Sequence, residues 1–111
     1  MTDIKIVLHV DQADHWFTAF ANLENLNRDY PTAQVRVVAN GAGIYAFVGK
    51  SDLIERLEKA SANGVVMQVC HNALNEHHIE PTELPKFAQV VPAGVVALAE
   101  AQQGGFAYIK P

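Results

Sequence analysis

One stretch decides how this chain folds: Gly64-Val65-Val66-Met67-Gln68-Val69-Cys70-His71-Asn72. An apolar run rich in β-branched residues leads directly into the only cysteine of the chain, and a histidine and an asparagine follow it. Short apolar runs of this kind are typical of strands that are buried on both faces in a parallel sheet. The stretch therefore predicts a buried strand over residues 65–69 that places the Cys70 thiol at its carboxyl end.

Four further segments have strand character, and predicted helices separate them. The strands are predicted over residues 4–10, 34–39, 87–91 and 106–109. The first helix is predicted from a cap at Asp11 or Asp14 to about residue 27, and the second from the N-cap Ser51 to Asn63-Gly64. The third is predicted over residues 71–78, and the fourth from Pro92 to Gly104-Gly105. A glycine loop is predicted over residues 40–43. Residues 44–48 are ambiguous between a short strand, a helical turn and part of a loop that covers the site, and we favour an irregular or short helical segment. This alternation predicts an α/β layered domain with a mainly parallel sheet of about five strands. The last strand is expected at an edge or paired with another subunit.

Aromatic residues at helical spacing mark the first helix. Trp16, Phe20 and Leu23 fall on one face of it, as expected for an apolar stripe turned toward a core. We therefore interpret Trp16 as a core residue in preference to one that stacks on a ligand.

Length and composition exclude several classes of protein. The chain of 111 residues is expected to be one domain over residues 1–111, and its 50% apolar and 18% charged residues fit a soluble globular protein. A net charge of -4 without a Lys/Arg cluster argues against a nucleic-acid partner. The most apolar window, residues 90–99, is too short for a membrane span, which needs about 20 residues. With no signal-peptide pattern and no possible internal disulfide, the expected location is the cytoplasm.

The predicted topology gathers polar residues at one edge of the sheet. In open parallel sheets, ligands bind beyond the carboxyl ends of the strands. The groups expected there are His9 and Asp11, then Asn40 and Gly41, then Cys70, His71 and Asn72, and finally residues 92–94. If the chain does chemistry, we expect it at this edge.

The Cys70 thiol is the natural candidate for a reactive group. A thiol acts as a nucleophile in its thiolate form, and a free cysteine's pKa of about 8.5 falls near a helix N-terminus or a cation. Cys70 lies where a strand leads into a predicted helix, and His71 or His9 is a candidate proton acceptor or charge partner. Free cysteine is also among the most buried residue types, so a purely structural Cys70 stays open.

Other chemistries have little support in the motifs. No nucleophile-elbow or protease signature surrounds Cys70, which argues against a Cys/His/Asn hydrolase. A zinc site that uses Cys70 with His71, His77 and His78 lacks the CxxC and HExxH patterns. The segment Asn40-Gly41-Ala42-Gly43 lacks the lysine and the glycine spacing of a phosphate loop, although its backbone N–H groups are suited to an anion. We expect neither a metal nor a cofactor.

Several segments in a fixed order carry a resemblance to a known family. They are the first strand ending at His9, the helix end at residues 22–26, residues 38–44, residues 64–74, and the tail formed by residues 90–96 and 101–111. Over nearly its whole length the chain resembles the DsrE/DsrF-like proteins of intracellular sulfur metabolism.

The resemblance implies a fold, an assembly and a chemistry. It implies a three-layer α/β/α domain that forms homo-oligomers, commonly trimers or hexamers, and that works with sulfur donor or acceptor proteins. Some relatives carry sulfur as a persulfide on a cysteine at a strand end, and Cys70 is the only candidate for that role here. The leading hypothesis is a sulfur carrier in which His9, His71 and Asn72 tune or cradle the thiol and Asn40-Gly41 forms the opposite wall. The alternative is a non-catalytic oligomeric module that binds a ligand or protein, with Cys70 structural.

Overall fold

The computed structural model describes residues 3–111. Its strands are β1 (Lys5–Val10), β2 (Gln34–Ala39), β3 (Val66–Cys70), β4 (Ala88–Val91) and β5 (Ala107–Ile109), and its α-helices are α1 (Trp16–Asp29), α2 (Ile54–Ala62), α3 (His71–Glu76) and α4 (Gly94–Gln103). Short 3-10 helices cover Ala13–His15, Gly41–Phe47 and Pro81–Glu83. In this described part of the chain, no helix is both long enough and apolar enough to cross a membrane.

The five strands form one sheet in the order β4-β3-β2-β1-β5, and every neighbouring pair is parallel. The predicted mainly parallel sheet is therefore confirmed. Because all five strands run in the same direction, their carboxyl ends meet at one edge. The register aligns Val10 with Ala39 and Cys70 with Val91, so this edge is even across β1 to β4.

Helices cover both faces of the sheet, but unequally. The larger core cluster joins one sheet face to α1, α2, α3 and the Gly41–Phe47 3-10 helix. The smaller cluster joins the other face to α4 and Phe106. Side chains alternate between the two faces along a strand, and β1 supplies both clusters, since Leu8 and Val10 belong to the larger and Val7 belongs to the smaller. This arrangement confirms the three-layer α/β/α fold.

The starts of two helices differ from the prediction. α1 begins at Trp16, directly after the 3-10 helix Ala13–His15. No side chain caps the N-terminus of either of these two helices, so the predicted cap at Asp11 or Asp14 was wrong. α2 begins three residues after the predicted N-cap Ser51. The Ser51 hydroxyl instead accepts a hydrogen bond from the Leu53 backbone N–H at 3.1 Å, and therefore stabilises the turn before the helix.

The ambiguous segment over residues 44–48 lies mostly within the Gly41–Phe47 3-10 helix, which also takes in the predicted glycine loop. Four of its residues are buried: Gly43, Ile44, Ala46 and Phe47. The segment is thus an ordered wall that packs against the end of β1.

Candidate functional site

Cys70 is both the last residue of β3 and the N-cap of α3. Its extended backbone turns directly into the helix, and its sulfur accepts a hydrogen bond from the Ala73 N–H at 3.4 Å. This is the role that serine or threonine oxygens fill at helix N-caps. The residue is only 6% exposed and packs in the larger core cluster. The fold therefore holds the thiol in one place at the carboxyl edge of the sheet.

His9 links three strands of this edge through its side chain. Because β1 lies between β2 and β5, the imidazole has a neighbour on each side. His9 Nδ1 is 2.6 Å from the Tyr108 hydroxyl, and Nε2 is 2.8 Å from Asn40 Oδ1. The side chains of β1, β5 and the residue after β2 thus form one continuous hydrogen-bond chain.

The start of α4 packs tightly against the ends of β2 and β3. A Cβ atom at Gly94 would lie 3.2 Å from Asn40 Cβ, 3.3 Å from Asn40 Nδ2 and 3.3 Å from Cys70 Cβ. Contacts that close leave room for glycine and little else. The absence of a side chain at Gly94 therefore lets the start of α4 approach both Asn40 and Cys70.

The loop after Asn40 lies against the end of β1. Gly41 has a φ of +50°, and a Cβ there would lie 2.9 Å from the Asp11 carbonyl oxygen. At Gly43 a Cβ would overlap the Val10 carbonyl oxygen. The buried Trp16 indole N–H donates to the Gly43 carbonyl at 2.9 Å and holds the loop from the other side. Close backbone contacts with the end of β1 and the hydrogen bond from Trp16 therefore fix the wall that begins at Gly41.

One ion pair lies beside the His9 chain. Lys110 Nζ donates to Asp11 Oδ2 at 2.7 Å, and this hydrogen bond holds the pKa of the Asp11 carboxyl below its ordinary value and the pKa of Lys110 above its own. The other Asp11 oxygen lies 3.8 Å from His15 Nδ1. The carboxylate charge is therefore matched by Lys110.

Comparison with known proteins identifies the fold family. A model of the DsrE/DsrF-like family matches residues 4–111. The chain belongs to the DsrE/DsrF-like family. A search among curated proteins found no match.

Two solved structures resemble this DsrE/DsrF-like chain closely in fold. The protein of unknown function MTH1491 from Methanobacterium thermoautotrophicum superposes with a TM-score of 0.92 at 26% identity, covering 98% of this chain and 100% of its own. The ychN protein from E. coli superposes with a TM-score of 0.85 at 15% identity, covering 97% of this chain and 99% of its own. Both alignments cover nearly the whole of this chain.

The DsrE/DsrF-like fold brings together some of the residues singled out in the sequence. His9, Asn40, Gly41 and Cys70 meet at the carboxyl edge, as described above. His71 and Asn72 lie on the first turn of α3, where Asn72 is exposed and His71 Nδ1 lies 3.5 Å from the Asn75 amide. Among the hydrogen bonds of residues 3–111, none joins either residue to the other four.

His77, the residue after α3, has another partner. His77 Nδ1 is 2.8 Å from the Tyr45 hydroxyl, and the two rings pack edge to face. Within residues 3–111, no group of three or more His, Cys, Asp or Glu side chains is placed to hold a metal ion.

Two residues of the site of this DsrE/DsrF-like protein had no signal in the sequence that tied them to it. Tyr108 and Lys110 lie in the tail, 99 residues from the His9 and Asp11 side chains that they contact. Their contacts depend on β5 pairing with β1, and strand order does not follow from the sequence. The only pointer was that residues 106–109 form a strand with a tyrosine in it.

Proposed function

We propose that this DsrE/DsrF-like protein is a sulfur carrier that holds a sulfur atom as a persulfide on Cys70. The observation that carries the proposal is the position of the thiol as the N-cap of α3, with the Ala73 N–H directed at its sulfur. A hydrogen bond from a backbone N–H favours the charged form of an acceptor, and the thiolate is the form of cysteine that reacts. Family membership supports the same chemistry.

The transfer consists of two thiolate exchanges without net oxidation. In the first, the Cys70 thiolate attacks the outer sulfur of a low-molecular or protein persulfide. The donor's sulfur–sulfur bond breaks, a new bond joins the transferred sulfur to Cys70 Sγ, and the donor leaves as a thiolate that takes a proton from water. In the second, an acceptor thiolate attacks the outer sulfur on Cys70, the bond to Sγ breaks, and Cys70 is released as thiolate.

We propose that three residues of the same sheet edge line the site of this thiol. His9 and Asn40 form the polar side, and Gly41 begins the wall that packs on the end of β1. His71 and Asn72 lie on the first turn of α3, where we propose that they contact the incoming donor and do not hold the sulfur.

Mass spectrometry of the intact protein tests the carrier. Incubation with inorganic polysulfide is expected to add the mass of one sulfur atom to the wild type, and dithiothreitol is expected to remove it. The Cys70→Ser variant keeps an acceptor for the Ala73 N–H, so it is a folded control that is expected to gain no sulfur. The proposal fails if the wild type gains no sulfur, or if the variant gains the same mass.

A second candidate function belongs to a different class. Cys70 is 6% exposed and packs in the larger core cluster, as a structural cysteine would. On this reading the protein is a non-catalytic module that binds a ligand or a protein at the same edge. The rate of the native thiol with a small disulfide reagent separates the two. A carrier is expected to react well before global unfolding, whereas a structural thiol reacts only at the unfolding rate.

We also propose that the chain forms a homo-oligomer, a trimer or a hexamer as in its family, and that it works in the cytoplasm. Support comes from the start of α4, where two neighbouring valines face outward. Val95 is 70% exposed and Val96 is 52% exposed. Exposed apolar side chains that lie together can mark an interface with another protein. Light scattering at micromolar concentration checks the assembly, and a monomer mass contradicts it.

A further inference from the structure

We infer that Tyr108 and His9 are positioning residues that orient the Asn40 side chain, and that the Asn40 amide donates a hydrogen bond to the sulfur anion formed at Cys70. This inference rests on the proposed function, because it concerns how the sulfur is held there. Nothing in the family match assigns Tyr108 a part. Two hydrogen bonds of His9, to Tyr108 and to Asn40, and the position of Gly94 support this assignment.

The hydrogen bonds of His9 have a definite direction. Asn40 Oδ1 is a carbonyl oxygen and only accepts. His9 Nε2 lies 2.8 Å from this oxygen and therefore carries the proton. A neutral imidazole has one protonated nitrogen, so Nδ1 is the acceptor. The Tyr108 hydroxyl, 2.6 Å from Nδ1, therefore donates to it. The Tyr108 hydroxyl thus supports the Nε2-protonated tautomer as a donor, and this tautomer keeps the amide oxygen of Asn40 turned toward the ring.

The same orientation leaves the amide nitrogen of Asn40 directed away from His9. Asn40 Nδ2 lies 3.3 Å from the point that a Gly94 Cβ would occupy, and Cys70 Cβ lies 3.3 Å from the same point. Among residues 3–111, no acceptor forms a hydrogen bond with Asn40 Nδ2. The two N–H groups of this amide are therefore available beside Cys70.

A second hydrogen-bond donor would stabilise the charge of a persulfide on Cys70. Its outer sulfur carries the negative charge and extends beyond Sγ, so the Ala73 N–H reaches the inner sulfur and leaves the outer one without a partner. Hydrogen bonds to charged groups are stronger than neutral ones. Asn40 Nδ2 supplies that second donor from the β2 side of the edge.

The tautomer of His9 is the most direct test. Long-range ¹H–¹⁵N NMR of the imidazole is expected to show a protonated Nε2 and an unprotonated Nδ1 in the wild type. In Tyr108→Phe the Nδ1-protonated tautomer is expected to appear, because the ring has lost the donor that selected its form. A wild-type ring protonated on Nδ1 overturns the inference, since Asn40 would then turn its nitrogen toward His9.

The reactivity of Cys70 toward iodoacetamide at neutral pH is the second test. We expect about a tenfold slower reaction in Asn40→Ala, which lacks the donor. Asn40→Asp keeps an oxygen for His9 Nε2 but has no N–H, so it is expected to be slowed at least as much. Tyr108→Phe is expected to be slowed about threefold, because its Asn40 amide is free to turn.

A matched control is available at another tyrosine–histidine pair. Tyr45→Phe removes a hydroxyl that lies 2.8 Å from His77 Nδ1, and its alkylation rate is expected to equal that of the wild type. Circular dichroism melts establish that each variant is folded. If folded Asn40→Asp reacts as fast as the wild type, Asn40 serves only to hold His9 and the inference is wrong.

The two proposals fail in different measurements. Absence of sulfur uptake from polysulfide by the wild type defeats the carrier function, whatever the tautomer of His9. Sulfur uptake by the wild type together with an unchanged alkylation rate in folded Asn40→Asp defeats the inference and leaves the carrier intact. Both stand when uptake occurs and Asn40→Asp lowers it together with the alkylation rate.

Discussion

Lys110 donates a hydrogen bond to Asp11 at 2.7 Å and so ties the segment after β5 to the loop after β1. The bond lowers the pKa of Asp11 below its ordinary value of 3.8 and raises the pKa of Lys110 above its ordinary 10.5. A carboxyl whose pKa falls on folding stabilises the folded state above its unfolded pKa. That contribution is lost as the pH falls through the lowered value.

We therefore predict an acid-dependent difference between the wild type and Lys110→Met. The variant is expected to melt at a slightly lower temperature near neutral pH, because the pair is partly exposed, and the difference is expected to shrink as the pH falls below 3.8 and through the lowered pKa of Asp11. NMR titration is expected to show the Asp11 pKa returning toward 3.8 in the variant. An Asp11 pKa that is the same in both proteins contradicts the role of Lys110.

Gly43→Ala is expected to destabilise the protein strongly. Its methyl group would overlap the Val10 carbonyl oxygen, which is backbone and cannot turn away. We predict a loss of about 3 kcal/mol in the free energy of unfolding, measured by urea titration. Gly49→Ala is the control, because its φ of +64° brings strain but no atom lies within 4 Å of the new Cβ. The control is expected to lose only about 1 kcal/mol.

Trp16→Phe tests the support of the same loop from within the core. Trp16 is 1% exposed, and its indole N–H is bonded to the Gly43 carbonyl at 2.9 Å. Phenylalanine leaves a cavity and an unsatisfied carbonyl, so we expect a loss of about 3 kcal/mol on urea titration. A loss below about 1 kcal/mol would mean that the loop does not depend on this bond.

The N-cap role of Cys70 predicts a difference between its two simplest replacements. Serine retains an acceptor for the Ala73 N–H, whereas alanine leaves that N–H without one. Thermal or urea unfolding is expected to show Cys70→Ala less stable than Cys70→Ser by about 1 kcal/mol. Equal stabilities would show that the bond from Ala73 to sulfur contributes nothing to the fold.

The sequence predicts the strands well because their apolar pattern is local. The predicted strand over residues 34–39 has the bounds of β2, and Trp16 is buried as its helical spacing indicated. Helix starts were less predictable. Asp11 has a side chain suited to capping but pairs with Lys110 across 99 residues, a contact that only the strand order creates.

The candidate site likewise contains residues that the sequence predicts and residues that it does not. His9, Asn40 and Cys70 were predictable because each lies within one residue of the carboxyl end of a recognisable strand, and parallel strands end together. Tyr108 was not, since its link to His9 requires β5 to lie beside β1. His71 and Asn72 follow Cys70 in sequence, but within residues 3–111 no hydrogen bond joins their side chains to His9, Asn40 or Tyr108.

The placement of β5 has a consequence for local unfolding. This strand has three residues, pairs only with β1, and lies at the edge of the sheet, whereas β2 lies at its centre. Amide hydrogens of β5 are therefore expected to exchange with solvent through small openings that leave the rest of the sheet folded. Each such opening would separate Tyr108 from His9. Whether the His9 hydrogen-bond chain is intact therefore depends on local openings of β5 and not on the global stability of the protein.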